Sequence, residues 1–475
     1  MFFNSIVYFF FLGGVFTLSW LATERIKIRN FILLVASLVF YSAWDPRYLP
    51  LIITAVFITW ISAGKISASS NKKTRKLWLF LGIFTALSIL AIFKYASFSV
   101  TSASYFLDIF GLEPDFNTRI LKKIVLPVGI SFYTFQAMSY TIDVYRNDLK
   151  HEKSFLNYAL YVSFFPQLVA GPIVRATDFI PQVKKQVKLD RELYAKGVIL
   201  IIIGLFKKVA IADFIAVNLV DRVFESTAMM SSLESLVGVY GYTLQIYCDF
   251  SGYSDIAIGS AALLGFYIPK NFDAPFISTN LSEFWERWHI SLSSWLRDYL
   301  YIPLGGSRNN TKWRTSRNLM ITMVLGGLWH GAAWTFVFWG TLHGIGLVIS
   351  RWLGFNRLHK ERKPLPLKIF AVFLTFNFTV FAFIFFRAAT FNGALQVLKN
   401  IARLEMSFVN LPITVIVAII AGYLIHLVSG SVLKKITNFY QKIPLWIHPL
   451  LMFAFAFFLQ KVAVTDVVPF IYFQF

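Results

Sequence analysis

Long apolar runs separated by short basic clusters organise this chain from end to end. Runs such as Phe31–Phe40 lack the apolar/polar alternation of a membrane β-barrel, so the backbone groups that lipid leaves unsolvated must be paired inside helices. At about 20 apolar residues per span, the pattern predicts roughly a dozen membrane segments. Between Arg29 and Lys72 the run is interrupted at Trp44-Asp45-Pro46-Arg47, which predicts a hairpin turn at the outer surface. Leu77–Phe93 is expected to run outward and Ile124–Thr141 to return, joined by a polar segment through Asp115 and Asn117, although Lys122 and Lys123 run against that orientation. In Phe155–Ile173, Pro166, Gly171 and Pro172 predict a re-entrant or broken helix. Val198–Val217 and Val237–Tyr267 form a further pair, and Phe370–Phe386, Pro412–Leu427 and Leu445–Leu459 supply the last spans. The expected fold is all-α, a polytopic transmembrane bundle. With no internal repeat and no linker, residues 1–475 read as a single membrane-embedded domain.

Glu283–Leu300 follows a different pattern. On a continuous helical wheel Glu283, Arg287, Ser291, Ser294 and Asp298 share one face, while Trp285, Trp288, Leu292 and Leu296 cover the other. This predicts an amphipathic helix at the cytoplasmic interface or lining a wet cavity, with Glu283 and Arg287 paired at i,i+4. His289 falls beside the aromatic face, as a semi-buried imidazole.

Composition supports the same class: 57% of residues are hydrophobic, 51 are Phe and only 15% are charged. The formal net charge of +21 does not point to nucleic acid, because the Lys and Arg residues lie in short clusters between apolar segments and no base-stacking module accompanies them. The clusters at Glu24–Arg29, Lys72–Lys76, Arg146–Lys153, Lys184–Arg191, Arg308–Arg317, Arg351–Lys368 and Lys434–Lys442 are assigned to the cytoplasm. The first apolar segment has basic residues after it and none before, so it reads as a retained span with the N-terminus outside. A single cysteine, Cys248, excludes a disulfide framework and a cysteine metal cluster, and no metal is expected.

Chemistry concentrates in Gly326-Gly327-Leu328-Trp329-His330-Gly331-Ala332-Ala333-Trp334, where an imidazole sits inside an apolar run. Counted from Arg317, His330 lies roughly 20 Å along a helix, near mid-membrane, and an ionisable group is rarely placed there without a function. It is the candidate catalytic base. Gly327 and Gly331 flank it, and Gly340 and Gly344 flank His343, so neighbouring backbones approach closely or leave room for a ligand. On one continuous helix His330 and His343 would diverge by about 140°, and His343 reads as structural. A neutral imidazole at His330 would take the proton of an attacking nucleophile, with the indole of Trp329 or Trp334, His289, or a backbone N–H near Gly331 as donor to a developing oxyanion. Asp249 and Asp255, in an apolar segment, should pair with cations or hydroxyls or shape a cavity. Cys248 reads as packing rather than a nucleophile, because no basic residue within Tyr247–Asp255 is there to lower its pKa. Gly305, Gly306 and Arg308 form either a phosphate cradle or a plain turn. Gln167, with Arg175, is a candidate cavity residue. His151, His359, His426 and His448 carry no motif.

Several blocks are similar to those of a known family. Glu283-Phe284-Trp285-Glu286-Arg287-Trp288-His289-Ile290-Ser291, Arg297-Asp298-Tyr299-Leu300-Tyr301-Ile302-Pro303-Leu304-Gly305-Gly306 and Trp329-His330-Gly331 resemble the signatures of the membrane-bound O-acyltransferases. Pro127–Gln136, Phe165–Ile173, Tyr247–Asp255 and Phe470–Phe475 extend the resemblance over nearly the whole chain, in the branch that acetylates alginate in bacteria. The resemblance implies transfer of an acyl group, in the first place acetyl, from a cytoplasmic thioester such as acetyl-CoA through the membrane toward hydroxyls of an exported polysaccharide. It implies His330 as the catalytic histidine and His289 as its companion, with no permanently bound cofactor. It also implies a bacterial inner-membrane location and a separate extracytoplasmic acetyltransferase as partner. Peptidoglycan O-acetylation, teichoic acid D-alanylation and a non-enzymatic transporter are the alternatives.

Overall fold

The computed structural model describes residues 1–112, 125–169, 171–188, 190–225, 230–308, 311–355, 364–463 and 470–471. The expected polar loop through Asp115, Asn117, Lys122 and Lys123, the start of the Ile124 span, His359 and the end of the terminal block lie outside the described residues. Every regular element is helical among those described, and the chain belongs to the all-α polytopic class that its apolar runs predict. It divides into two compact units, Ser5–Leu189 with Leu264–Ile268, and Asp190–Leu263 with Pro269–Phe475 and Phe2–Asn4.

In the first unit, local chemistry sets the helix starts. Asp45 accepts the Arg47 N–H (2.9 Å) ahead of Pro46, Asn71 accepts that of Lys73 (2.8 Å) at the head of Lys72–Leu90, and Ser154 caps Phe155–Ser163. The turn at Asp45-Pro46 falls where the hairpin is expected. The helix from Lys72 continues through a π-helical turn, Ala91–Tyr95, to Ile109; its 38 residues are roughly 57 Å long, nearly twice the hydrocarbon thickness. The Phe155–Ile173 segment is broken as Pro166 predicts, into Phe155–Ser163 and the single turn Phe165–Leu168. Arg29 closes one of the basic clusters, yet it is buried: its guanidinium donates to the carbonyls of Lys185 and Val183 (both 3.0 Å) and to Asn30 Oδ1, and lies over the Phe266 ring.

The second unit is built around the 32-residue helix Ser232–Leu263, packed against Arg191–Leu205 and its π-helical continuation Phe206–Asp213. Lys312–His330 and Trp334–Trp352 form an antiparallel hairpin, and Leu365–Arg387 packs against its second arm. Buried side chains such as Val239, Val380, Ile384 and Phe385 make one of its apolar clusters.

Four helices among the described residues are long and apolar enough to cross a membrane: Pro46–Ala68, Lys72–Ile109, Leu365–Arg387 and Leu445–Val462. A fifth span results if Ile413–His426 and Gly430–Lys442, bent by 93°, are counted as one. The other runs counted toward the expected dozen form shorter, less apolar or interrupted helices among the described residues. Several of the remaining runs carry internal charge, as at Lys207, Lys208, Asp249 and Asp255, or are broken, as at Phe155–Ile173. The continuous wheel drawn for Glu283–Leu300 is also corrected. The segment forms two helices, Leu281–Arg287 and Ile290–Leu296, followed by a π-helical turn Arg297–Tyr301, because the chain leaves helical geometry at Trp288 and His289.

Candidate active site

The first wall of the site comes from the broken segment. Asn280 caps Leu281–Arg287 by accepting the Glu283 N–H (3.0 Å), and Glu283 turns back to accept the backbone N–H and hydroxyl of Thr279 while pairing with Arg287 at 2.9 Å. The expected Glu283–Arg287 pair is therefore present. After Trp288 the chain enters the left-handed region at His289, with φ 44° and ψ 54°, a conformation that costs a non-glycine residue of order 1–3 kcal/mol and gathers at functional sites. Asn271 holds the turn. Its carbonyl accepts the Ile290 N–H (2.9 Å), and its Oδ1 receives the Ser291 N–H (3.2 Å), the Ser291 hydroxyl (2.8 Å) and a contact from His289 Nδ1 (3.2 Å). Its Nδ2 donates to Ser254 Oγ (3.2 Å). His289 is fully buried rather than semi-buried, edge-on to Phe250 at 4.5 Å between ring centroids.

The second wall is the tip of the helical hairpin. His330 is the last residue of its helix; Gly331 is extended, and the next helix begins at Trp334. His330 and His343 thus lie on separate antiparallel helices, so the continuous-helix angle between them does not apply. Close approach of the two arms needs glycine: a Cβ at Gly327 would stand 2.3 Å from the Phe336 carbonyl oxygen and 3.1 Å from Gly340 Cα. His330, 2% exposed, is enclosed by Trp329 (5.0 Å), Trp339 (5.1 Å) and Phe386 (5.3 Å), with the His289 ring at 6.5 Å. Two buried imidazoles from distant parts of the sequence are thereby brought together in an aromatic enclosure. Trp339 Nε1 has no hydrogen-bond partner among the described residues, which leaves a buried donor beside His330. Among those residues no group of three or more His, Cys, Asp or Glu is arranged to hold a metal ion.

The model of the family described as MBOAT, membrane-bound O-acyltransferase, matches residues 39–391, a range that includes Asn271, His289 and His330. The chain belongs to the membrane-bound O-acyltransferase family. It is 43% identical over 391 residues to the probable alginate O-acetylase of Pseudomonas aeruginosa, covering 82% of this chain and 72% of that one. It is 39% identical over 402 residues to the peptidoglycan O-acetyltransferase of Helicobacter pylori (78% and 73%). It is 32% identical over 297 residues to the teichoic acid D-alanyltransferase of Streptococcus thermophilus (58% and 71%). As an MBOAT protein it is a multi-pass membrane O-acyltransferase, and the transporter reading is set aside.

The other residues singled out in the sequence fall at varied places in this MBOAT chain. Trp329 lines the histidine pair, whereas Trp334 is 56% exposed. At Gly331 an added Cβ would meet the Phe336 ring at 2.1 Å, so the space beside this glycine is filled by packing. Asp249 and Asp255 are committed to ion pairs: Lys208 stands 2.6 Å from both Asp249 and Asp213, Lys207 is 2.7 Å from Asp255, and Asp249 also accepts the Ile471 N–H (2.9 Å). Gly305 and Gly306, both at positive φ, lie on the turn after Tyr301; the Gly306 carbonyl accepts from Asn318 Nδ2 (3.1 Å), and Arg308 is exposed. Gln167 belongs to the first unit, buried, with its amide donating to the Tyr161 carbonyl.

His343 packs among Trp339, Trp285, Phe284 and Phe378. His426 accepts the Phe276 N–H (3.1 Å), and His448 lies between Tyr440 and Tyr194. Cys248 is buried within the Ser232–Leu263 helix. Asn271, Trp339, Lys207 and Lys208 escaped the sequence reading. A lysine pair inside an apolar run, and a lone Asn ahead of Phe272, were the available signals.

Proposed function

We propose that this MBOAT enzyme moves an acetyl group from a cytoplasmic thioester, acetyl-CoA or a related donor, toward hydroxyls of an exported polysaccharide, with His330 as general base. The juxtaposition of His330 and His289, buried with ring centroids 6.5 Å apart, carries the reading. The hydroxyl oxygen bonds to the thioester carbonyl carbon as its proton passes to the His330 imidazole; the tetrahedral oxyanion then collapses, the C–S bond breaks, and the imidazolium returns the proton to the departing thiolate. Trp329 and Trp339 supply indole N–H groups beside His330 for the oxyanion; exposed Trp334 is a poorer choice.

The names of the relatives support an acceptor in the bacterial envelope: alginate, peptidoglycan and teichoic acid. Higher identity to the alginate O-acetylase favours acetyl transfer toward a polysaccharide such as alginate. In this reading the enzyme occupies the bacterial inner membrane with its N-terminus outside, and the clusters Lys72–Lys76 and Arg308–Arg317 lie in the cytoplasm. Gly305, Gly306 and Arg308 would meet the phosphates of the donor, and an extracytoplasmic acyltransferase would take the group onward. Purified protein in lipid nanodiscs, given a thioester donor and oligosaccharide acceptors, tests the proposal. His330→Ala should lower transfer by roughly 10²–10⁴-fold while donor binding and thermal stability persist. Near-normal turnover by that variant refutes the role of His330.

A further inference from the structure

We propose that Asn271 is a positioning residue which locks His289 into one tautomer, with the proton on Nδ1, so that His289 presents a hydrogen-bond acceptor to the catalytic pair. The amide orientation follows from its partners. Ser291 N–H is a donor in every protonation state, so the atom facing it at 3.2 Å must be the Asn271 oxygen; an amide turned over would set NH₂ against N–H. The same oxygen receives the Ser291 hydroxyl at 2.8 Å, and the opposite side of the amide donates to Ser254 Oγ. Because that oxygen only accepts, the Nδ1 standing 3.2 Å from it must carry the hydrogen, and in the neutral ring the lone pair is then on Nε2. Asn271 fixes the backbone as well: the left-handed conformation of His289 is held by the Ile290 N–H on the Asn271 carbonyl, 2.9 Å away. One residue thus sets both the placement and the protonation pattern of the imidazole.

The consequence rests on the reading that His330 is the base. A neutral His289 in this tautomer is not the donor to the oxyanion, which leaves that task to the Trp329 and Trp339 indoles. What it offers is an acceptor for the imidazolium that forms when His330 takes the hydroxyl proton, and 6.5 Å between ring centroids suits a bridge through one water. The groups around His289 are consistent with a neutral acceptor. The Ser232–Leu263 helix contributes Phe250 and Ser254, the 271–272 segment Asn271 and Phe272, and the Ile290–Leu296 helix Ser291. The Lys312–His330 helix contributes Trp329 and the titratable His330.

Two measurements test this. Nitrogen-15 NMR of histidine-labelled enzyme in bilayers, with His289 assigned by its loss in His289→Gln, should show a protonated Nδ1 and a non-protonated Nε2. A proton on Nε2 in the unsubstituted enzyme overturns the proposal, whether or not the chain transfers acetyl groups, so this arm stands apart from the His330→Ala test. In transfer assays Asn271→Leu should lower kcat roughly 10–100-fold, in the range seen when a group orienting a functional histidine is lost, with KM for the thioester donor within about twofold. Asn271→Asp keeps the acceptor oxygen; it should restore most of kcat and move the acidic limb of the rate profile to higher pH by about one unit, because a carboxylate behind the ring favours its protonated form. Equal loss in both variants with an unmoved pH limb would show that Asn271 only packs the turn.

Discussion

Substituting alanine for Gly327 tests whether the helical hairpin sets the position of His330. The new Cβ would stand 2.3 Å from the Phe336 carbonyl oxygen and 3.1 Å from Gly340 Cα, whereas ordinary contact begins at 3.4 Å. Both obstructing atoms are backbone, so the arms Lys312–His330 and Trp334–Trp352 must part by about 1 Å. Overpacking of this kind costs about 1–3 kcal/mol, and the gain in helix propensity on replacing glycine offsets about 1 kcal/mol of it. The net loss of stability is therefore small, roughly 0–2 kcal/mol. Catalysis should suffer more, because His330 lies on the displaced arm three residues from the substitution, and a 1 Å misplacement of a reacting group costs about 10²-fold. Gly326→Ala is the control: its nearest neighbour is the flexible Leu296 Cδ1 at 3.3 Å, so the arms stay together and stability holds or rises slightly. Thermal midpoints, thioester binding and initial transfer rates would be measured for both variants in the same nanodiscs. Full transfer by Gly327→Ala, or a larger loss from Gly326→Ala, would show that the hairpin contact does not position the imidazole.

Lys208→Met should destabilise the protein severely, by about 3–5 kcal/mol, because it leaves Asp213 and Asp249 buried together without the ammonium both contact at 2.6 Å. Adding Asp213→Asn and Asp249→Asn should recover folded protein, as read by size-exclusion chromatography; failure of both results would argue that the cluster carries no charge. His151 lies between helices, beneath Trp60 and beside the Tyr140 hydroxyl at 3.1 Å, and burial lowers its pKa from the ordinary 6.5. The unfolded chain takes up that proton first, so the contribution of neutral His151 is intact above about pH 6.5 and declines as pH falls below it; His151→Gln should flatten this part of the stability profile, and an unchanged slope would contradict the assignment.

What the sequence shows of this architecture depends on whether a cause is local. The Phe164 break is legible because Pro166 cannot continue the helix, and the Asp45 turn because Asp45-Pro46 both caps and redirects. The break at His289 is invisible to a helical wheel, since no Pro or Gly marks it: Asn271, 18 residues earlier, stabilises the left-handed turn. His330 stands out as an imidazole in an apolar run, but its neighbour Trp339 belongs to the opposite arm and becomes relevant only once Gly327 and Gly340 let the helices touch. Lys207 and Lys208, likewise, find carboxylates that no local pattern pairs with them. The aromatic signature blocks carried the family; the contacts that orient its histidines are tertiary.

The buried ion pairs also bear on biogenesis. Lys207, Lys208 and Asp213 are made on one helical arm, while Asp255, 48 residues after Lys207, and Asp249 arrive on another. A lone Lys or Asp at the centre of a nascent helix opposes membrane insertion by about 2.5–3.5 kcal/mol, so the first arm is held back by several kcal/mol until its counter-charges emerge from the ribosome. Insertion is then expected to be pairwise, the two arms leaving the translocon as a charge-matched hairpin. Glycosylation mapping of nascent chains cut after Glu225 or after Leu263 reads this order directly: only the longer chain should be inserted, and stable insertion of the shorter one would mean that the first arm tolerates its charges alone.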